Sequence, residues 1–175
     1  MRRVLALFGV LFVYLAGGLP QAVAEESFIE EAFPGCTAAR CVVKDNPGGY
    51  LWNYEAAAVQ ILLSGIAHIV VDGECASACA SVIDLLREYP VDICITPRAV
   101  FRFHKAALVR EVTQAGKVVE KDVLFYADTP QTPEVQKWVA ARGGMPIETS
   151  ADKMLVMRAQ DASEFWRRCE LNVAR

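Results

Sequence analysis

The sequence predicts an α/β protein with a mainly parallel sheet and an inserted β-hairpin. Short apolar runs rich in β-branched residues alternate with helical patterns, which is the order of βαβ units. The runs 67–71 and 91–95 show no strict polar alternation, as expected of strands buried on both faces. Residues 109–126 instead alternate on either side of Gln-Ala-Gly, which is typical of a hairpin.

The first elements are a strand and a helix separated by a tight turn. Cys41 to Lys44 predicts a short strand, which ends at the sequence DNPGG, residues 45–49. Residues 51–64 then place their apolar side chains on one face at helical spacing, and Gly65 predicts the helix end.

Two further strands and a second helix follow. Ala67 to Val71 predicts a buried strand, and Ala78 to Glu88 predicts a helix that Pro90 terminates. Val91 to Ile95 and Ala99 to His104 predict the next two strands, so the pattern remains that of a parallel sheet.

The C-terminal third predicts two more helices. Thr132 as N-cap, Pro133 at the first helical position and Gly143 beyond the end bracket one of them. A last short helix is expected from about Ala162 to Cys169.

Residues 1–24 have the pattern of a secretory signal peptide. Arg2 and Arg3 precede the apolar run 4–16, and Ala22-Val23-Ala24 forms a small-x-small cleavage site. An uncleaved N-terminal anchor is the alternative. Cleavage would leave 175 − 24 = 151 residues, and residues 25–175 are predicted to form a single domain.

Charge and composition exclude several classes of partner. The formal net charge is −3, and loss of the two arginines with the signal would make it −5, so we expect no nucleic acid partner. No later run reaches membrane length, so we expect no stable membrane span after cleavage. With two histidines and no C-x2-C pair, we expect neither a metal nor another cofactor.

The even number of cysteines behind a signal sequence indicates an oxidising compartment and up to three disulfides. The spacing permits a small loop between Cys36 and Cys41 and leaves the other pairings open. The pair Cys75 and Cys79 could bridge each other, use Cys94, or act as reduced redox thiols, although C-x3-C is not the redox spacing. The six residues are Cys36, Cys41, Cys75, Cys79, Cys94 and Cys169.

The candidate general bases are the two histidines. His68 opens an apolar strand and fits a packed histidine better than a catalytic one. His104 ends the alternating strand "VFRFH", and strand ends are where side chains of a parallel sheet reach ligands.

The candidate nucleophile is Ser77, which opens the predicted helix 78–88. Its ordinary interpretation is a helix N-cap. Its catalytic interpretation is a hydroxyl on a turn whose next amide, that of Ala78, lies at the positive helix end and can stabilise an oxyanion. The glycines Gly48 and Gly49 similarly permit either a tight turn or a close approach of backbone amides to a substrate carbonyl.

Taken together, the order PGG, Ser-Ala and strand-end histidine resembles the ClpP/crotonase superfamily. The spacing is 28 residues from Gly49 to Ser77 and 27 from Ser77 to His104. Specifically, the chain looks like the small predicted periplasmic ClpP-like proteins whose core is C-x-S-A-C, and the likeness covers about residues 41–105. The resemblance implies a ClpP/crotonase-like βαβ spiral core, with the hairpin 109–126 in place of the family's handle helix.

The resemblance also implies a catalytic set. Ser77 would be the nucleophile, His104 the base and Asp152 the orienting carboxylate, with the oxyanion bound by Gly49 and Ala78 and substrate approaching Gly48. Asp152 could equally be a helix-cap or surface carboxylate, and the alternatives for its role are Asp122, Asp128 and Asp161.

The residues and the resemblance together predict a secreted, periplasmic serine hydrolase, and the resemblance implies that its substrate is a peptide or protein segment. The alternative is a catalytically inactive envelope protein that uses the same scaffold to bind a peptide or protein partner. By resemblance, a homo-oligomer is also expected.

Overall fold

A computed structural model describes residues 27–37, 39–114 and 117–170 of the chain. The predicted signal peptide, residues 1–24, lies outside the described residues. The described part is a mixed α/β fold with a mainly parallel sheet, as the sequence predicts.

The described residues contain nine strands, five helices and a 3₁₀ turn at Leu86–Glu88. The strands are β1 (Cys41–Val43), β2 (His68–Val71), β3 (Glu74–Ala76), β4 (Asp92–Ile95), β5 (Val100–Phe103), β6 (Ala106–Gln114), β7 (Lys117–Ala127), β8 (Leu155–Arg158) and β9 (Arg167–Arg168). The helices are α1 (Phe28–Ala32), α2 (Leu51–Ser64), α3 (Ala78–Leu85), α4 (Pro133–Ala140) and α5 (Ala159–Ala162).

The strands form two sheets and a separate ribbon. The first sheet is parallel throughout, in the order β1-β2-β4-β9. In the second sheet, β5 lies between β3, to which it is parallel, and β8, to which it is antiparallel. Strands β6 and β7 pair only with each other among the described residues and form the predicted hairpin.

Helix α3 lies in the core. All its residues from Ala78 to Asp84 are buried, so it is enclosed on every side and has no solvent-facing stripe. The surrounding aromatic packing includes Phe101 stacked on Trp166, with ring centroids 4.4 Å apart. The residue that opens α3, Ser77, is therefore fixed by a rigid element.

Most predicted elements are present, with differences at short segments. Helix α2 spans the predicted residues 51–64 and ends at Gly65, whose φ of 73° is left-handed. The prediction of a helix from Ala162 to Cys169 is wrong. Helix α5 ends at Ala162, and residues 167–168 form strand β9. The reason is tertiary: this segment pairs with β4, and the Cys169 amide donates to the Ile95 carbonyl.

All six cysteines are paired, which confirms the expectation of three disulfides. The bridges are Cys36–Cys41, Cys75–Cys79 and Cys94–Cys169. Cys75 and Cys79 are therefore joined to each other and not to Cys94. Within the described residues, no helix is long and apolar enough to cross a membrane.

Candidate active site

Ser77 occupies a strained turn between β3 and α3. Its φ and ψ are 56° and −125°, a combination that non-glycine residues rarely adopt and that surrounding structure must enforce. Its amide donates to the Arg102 carbonyl of β5 at 2.9 Å. Although Ser77 holds the N-cap position, its hydroxyl caps no helix amide. The N-cap interpretation therefore does not account for the side chain.

His104 follows β5 and lies directly against the Ser77 hydroxyl. Its Nε2 is 2.7 Å from Ser77 Oγ, and its Nδ1 is 2.7 Å from the carbonyl oxygen of Lys105. A carbonyl only accepts hydrogen bonds, so Nδ1 carries the proton and Nε2 accepts the one from the hydroxyl. This is the tautomer that a general base for Ser77 requires.

The Lys105 carbonyl occupies the position expected for the orienting carboxylate. Asp152 is exposed in the turn before β8 and makes no hydrogen bond to His104. A backbone carbonyl can fix the imidazole tautomer, but it carries no full charge to stabilise an imidazolium. The structure therefore brings Ser77 and His104 together without Asp152.

The three alternative aspartates pair elsewhere. Asp122 pairs with Arg110, Asp128 pairs with Lys105 Nζ at 3.7 Å, and Asp161 pairs with Arg142 at 3.9 Å. None of them forms a hydrogen bond or an ion pair with His104 among the described residues.

The turn that contains Gly48 and Gly49 is fixed by the buried side chain of Asn46. Asn46 Oδ1 accepts hydrogen bonds from the Gly48 amide at 3.0 Å and from the Tyr54 hydroxyl at 2.6 Å. Its Nδ2 donates to the Ala32 carbonyl at 2.7 Å. Burial raises the pKa of Tyr54, so the phenol remains the protonated donor that this arrangement needs.

The same turn is attached to the strand that leads into Ser77. The Asn46 amide donates to the Glu74 carbonyl at 2.8 Å, and the Asn46 carbonyl accepts from the Ala76 amide at 2.9 Å. These bonds align the turn with β3, so the glycines and the nucleophile lie side by side.

Gly48 is required by this close approach. Its φ is 80°, and a Cβ on it would lie 2.4 Å from the Ala76 carbonyl oxygen and 2.7 Å from Ser77 Cβ. Since Asn46 already accepts from the Gly48 amide, Gly48 contributes through packing. Among the described residues, the amides of Gly49 and Ala78 donate to no hydrogen-bond partner.

His68, the other candidate base, is exposed and remote from this chemistry. Its Nδ1 is 3.0 Å from an Asp92 carboxylate oxygen, and it makes no hydrogen bond to Ser77. Among the described residues, no three or more histidine, cysteine, aspartate or glutamate side chains cluster as a metal site would require.

Sequence reasoning missed Asn46, Tyr54 and the Lys105 carbonyl. Asn46 had a local signal, because an asparagine before Pro-Gly-Gly commonly bonds to the turn amides that follow it. A backbone carbonyl has no sequence signal, since every residue carries one.

The chain matches no family model, no curated protein and no solved structure.

Proposed function

We propose that this protein is a serine hydrolase whose nucleophile is Ser77 and whose general base is His104. The observation that carries the proposal is the 2.7 Å contact between Ser77 Oγ and His104 Nε2, with the opposite ring nitrogen fixed by a carbonyl. A half-buried serine in a strained turn, bonded to a correctly protonated imidazole, is the arrangement of an activated nucleophile.

The proposed reaction is acyl transfer in two stages. Ser77 Oγ attacks the substrate carbonyl while His104 Nε2 takes the hydroxyl proton, and the amides of Gly49 and Ala78 bind the oxyanion. His104 then donates that proton to the leaving group as the bond to the carbonyl carbon breaks. A water activated by His104 hydrolyses the acyl-Ser77 ester and restores the serine.

The likeness to ClpP-type peptidases supports a peptide or protein segment as substrate. We propose that the two sheets correspond to the ClpP/crotonase spiral. The glycine turn follows β1, the serine follows β3 and the histidine follows β5, and Asn46 of the turn forms a parallel bridge to Cys75 of β3, which is itself parallel to β5. The three disulfides are typical of an oxidising compartment and support secretion to the periplasm.

The alternative function is an inactive scaffold that binds a peptide or protein partner. That alternative predicts a buried serine or a histidine turned away from it. The contact between Ser77 and His104, with Ser77 still partly open to solvent, favours the hydrolase.

The test is labelling of the full, oxidised chain with a fluorophosphonate serine-hydrolase probe. We expect the wild-type protein to label, and Ser77→Ala and His104→Ala to lose labelling while keeping the wild-type circular dichroism spectrum. Ser163→Ala is the control, because this hydroxyl donates to the Gln160 carbonyl and forms no hydrogen bond with a histidine among the described residues. A folded, oxidised wild-type protein that does not label would favour the inactive scaffold.

A further inference from the structure

The Cys75–Cys79 disulfide encloses the proposed nucleophile. Cys75 lies in β3 and Cys79 in the first turn of α3, with Ser77 midway between them. Their Cα atoms are 5.3 Å apart and both side chains are fully buried. The bridge therefore joins the two elements between which the chain turns at Ser77.

The conformation of Ser77 needs such a restraint. A serine at φ 56° is unfavourable. Its noncovalent supports include the hydrogen bond from its amide to the Arg102 carbonyl, the bond between its hydroxyl and His104, and the packing of Gly48. A relaxed alternative exists, because a serine before a helix prefers extended backbone and accepts a hydrogen bond from a first-turn amide. In that conformation the hydroxyl would cap α3 and leave His104.

We propose that the Cys75–Cys79 disulfide is a positioning element that holds Ser77 against His104, so that forming this bond activates the serine centre. The inference rests on the proposed function and adds its regulation. The reduced chain relaxes toward the capping conformation and is inactive in a reducing compartment. The oxidised chain holds the catalytic conformation after export.

The activating step is a thiol–disulfide exchange. The Cys75 and Cys79 thiols are oxidised to one S–S bond, and an external disulfide such as oxidised glutathione is reduced. Its S–S bond breaks, and its two sulfurs receive the two electrons and two protons as a pair of thiols.

The other two disulfides provide controls. Cys36–Cys41 closes a loop nearly as short as that of Cys75–Cys79, since the sequence separations are 5 and 4 residues. Cys94–Cys169 has a separation of 75 and fastens the C-terminal segment to β4. The Cys36–Cys41 loop contains no residue of the site, and the long loop closed by Cys94–Cys169 contains His104 but not Ser77.

The experiment compares three double variants of the full, oxidised chain: Cys75→Ala/Cys79→Ala, Cys36→Ala/Cys41→Ala and Cys94→Ala/Cys169→Ala. At saturating fluorophosphonate we expect the labelling rate to fall about 10- to 100-fold in the first, as expected from the cost of the Ser77 conformation. We expect less than about a twofold change in the second. The Cys94→Ala/Cys169→Ala variant risks unfolding, so its labelling rate is divided by its folded fraction before it is compared with the wild-type rate. Wild-type protein refolded with reduced thiols should gain labelling when oxidised glutathione is added.

A second readout, the ¹⁵N signals of the His104 ring, distinguishes a disulfide that positions Ser77 from one that only stabilises the fold. If Ser77 leaves His104, the Cys75→Ala/Cys79→Ala spectrum should resemble that of Ser77→Ala. Wild-type ring signals and wild-type labelling in this variant would overturn the inference. If the variant does not fold, Cys75→Val/Cys79→Ala, which restores buried volume, takes its place.

The same spectra separate the two proposals. A wild-type protein that fails to label would refute the proposed function, and the His104 signals would still report whether the disulfide positions Ser77.

Discussion

At the scale of the residue, the site is defined by two side chains and a backbone carbonyl. Ser77 has a conformation that is costly for any non-glycine residue, and the hydroxyl it presents bonds to His104 instead of capping α3. The Lys105 carbonyl fixes the histidine tautomer from the other side. A histidine without a carboxylate partner can still accept a proton, but its protonated form is less stabilised.

Asp152→Asn provides a test of this arrangement. We expect the fluorophosphonate labelling rate to stay within about twofold of wild type from pH 6 to 9, because Asp152 does not bond to His104. In a serine triad, the same aspartate-to-asparagine change lowers kcat by about 10⁴-fold. A loss of that size would show that Asp152 reaches His104 in the working enzyme. His104→Ala, measured in parallel, gives the rate without the base.

At the scale of the element, the position of α3 depends on a buried ionic network that involves none of the proposed catalytic residues. Asp84 is completely buried and accepts from the Thr132 amide at 2.7 Å and from Arg87 Nε at 2.9 Å. Arg87 also donates to the Phe165 carbonyl at 3.0 Å. Burial raises the pKa of Asp84, although Thr132 and Arg87 act in the opposite direction. The network joins α3 to the start of α4 and to the C-terminal segment.

Asp84→Ala should therefore lower the free energy of unfolding by about 3–5 kcal/mol, the usual cost of removing one partner of a buried ion pair. Denaturant unfolding at neutral pH measures it. The control is Glu134→Gln, since this exposed carboxylate is 3.5 Å from Arg87 and its loss should change stability little. A loss below about 1 kcal/mol for Asp84→Ala would mean that water replaces the network.

The sequence predicted the elements whose signals are local or periodic. The helical period of 51–64, the apolar runs of β2 and β4, and the order of PGG, Ser77 and His104 are all visible in the chain. Strand β3 was missed because three residues are too few to show a period. The sequence pattern predicts a helix at β9, because the strand conformation there depends on pairing with β4 and on Cys169. The partner of His104 depends on backbone geometry, which side-chain identities do not encode.

At the scale of the whole molecule, each end of the parallel sheet has a carboxylate that bonds to residues of neighbouring segments, Asp72 at one end and Asp92 at the other. Beyond the carboxyl ends of β2 and β4, Asp72 is bonded to Arg98 and, at 2.7 Å, to Thr96. At the start of β4, Asp92 bonds to Arg167 of β9 and to His68 of β2. The hydrogen bond from Arg98 is the main cause that lowers the pKa of Asp72, and that from Arg167 does the same for Asp92.

These two shifts predict how stability depends on pH. A carboxylate whose folded pKa lies below its unfolded value stabilises the fold above the unfolded pKa, about 3.9 for aspartate. That contribution is lost as pH falls from there through the lower folded pKa. Asp72→Asn should therefore lower the thermal unfolding midpoint at pH 7, and its difference from wild type should shrink below about pH 4. A difference that stays constant from pH 7 to pH 2 would mean that Asp72 acts through packing and not through its charge. Asp152→Asn, which changes an exposed carboxylate, is the control, and it should change the thermal unfolding midpoint at pH 7 little.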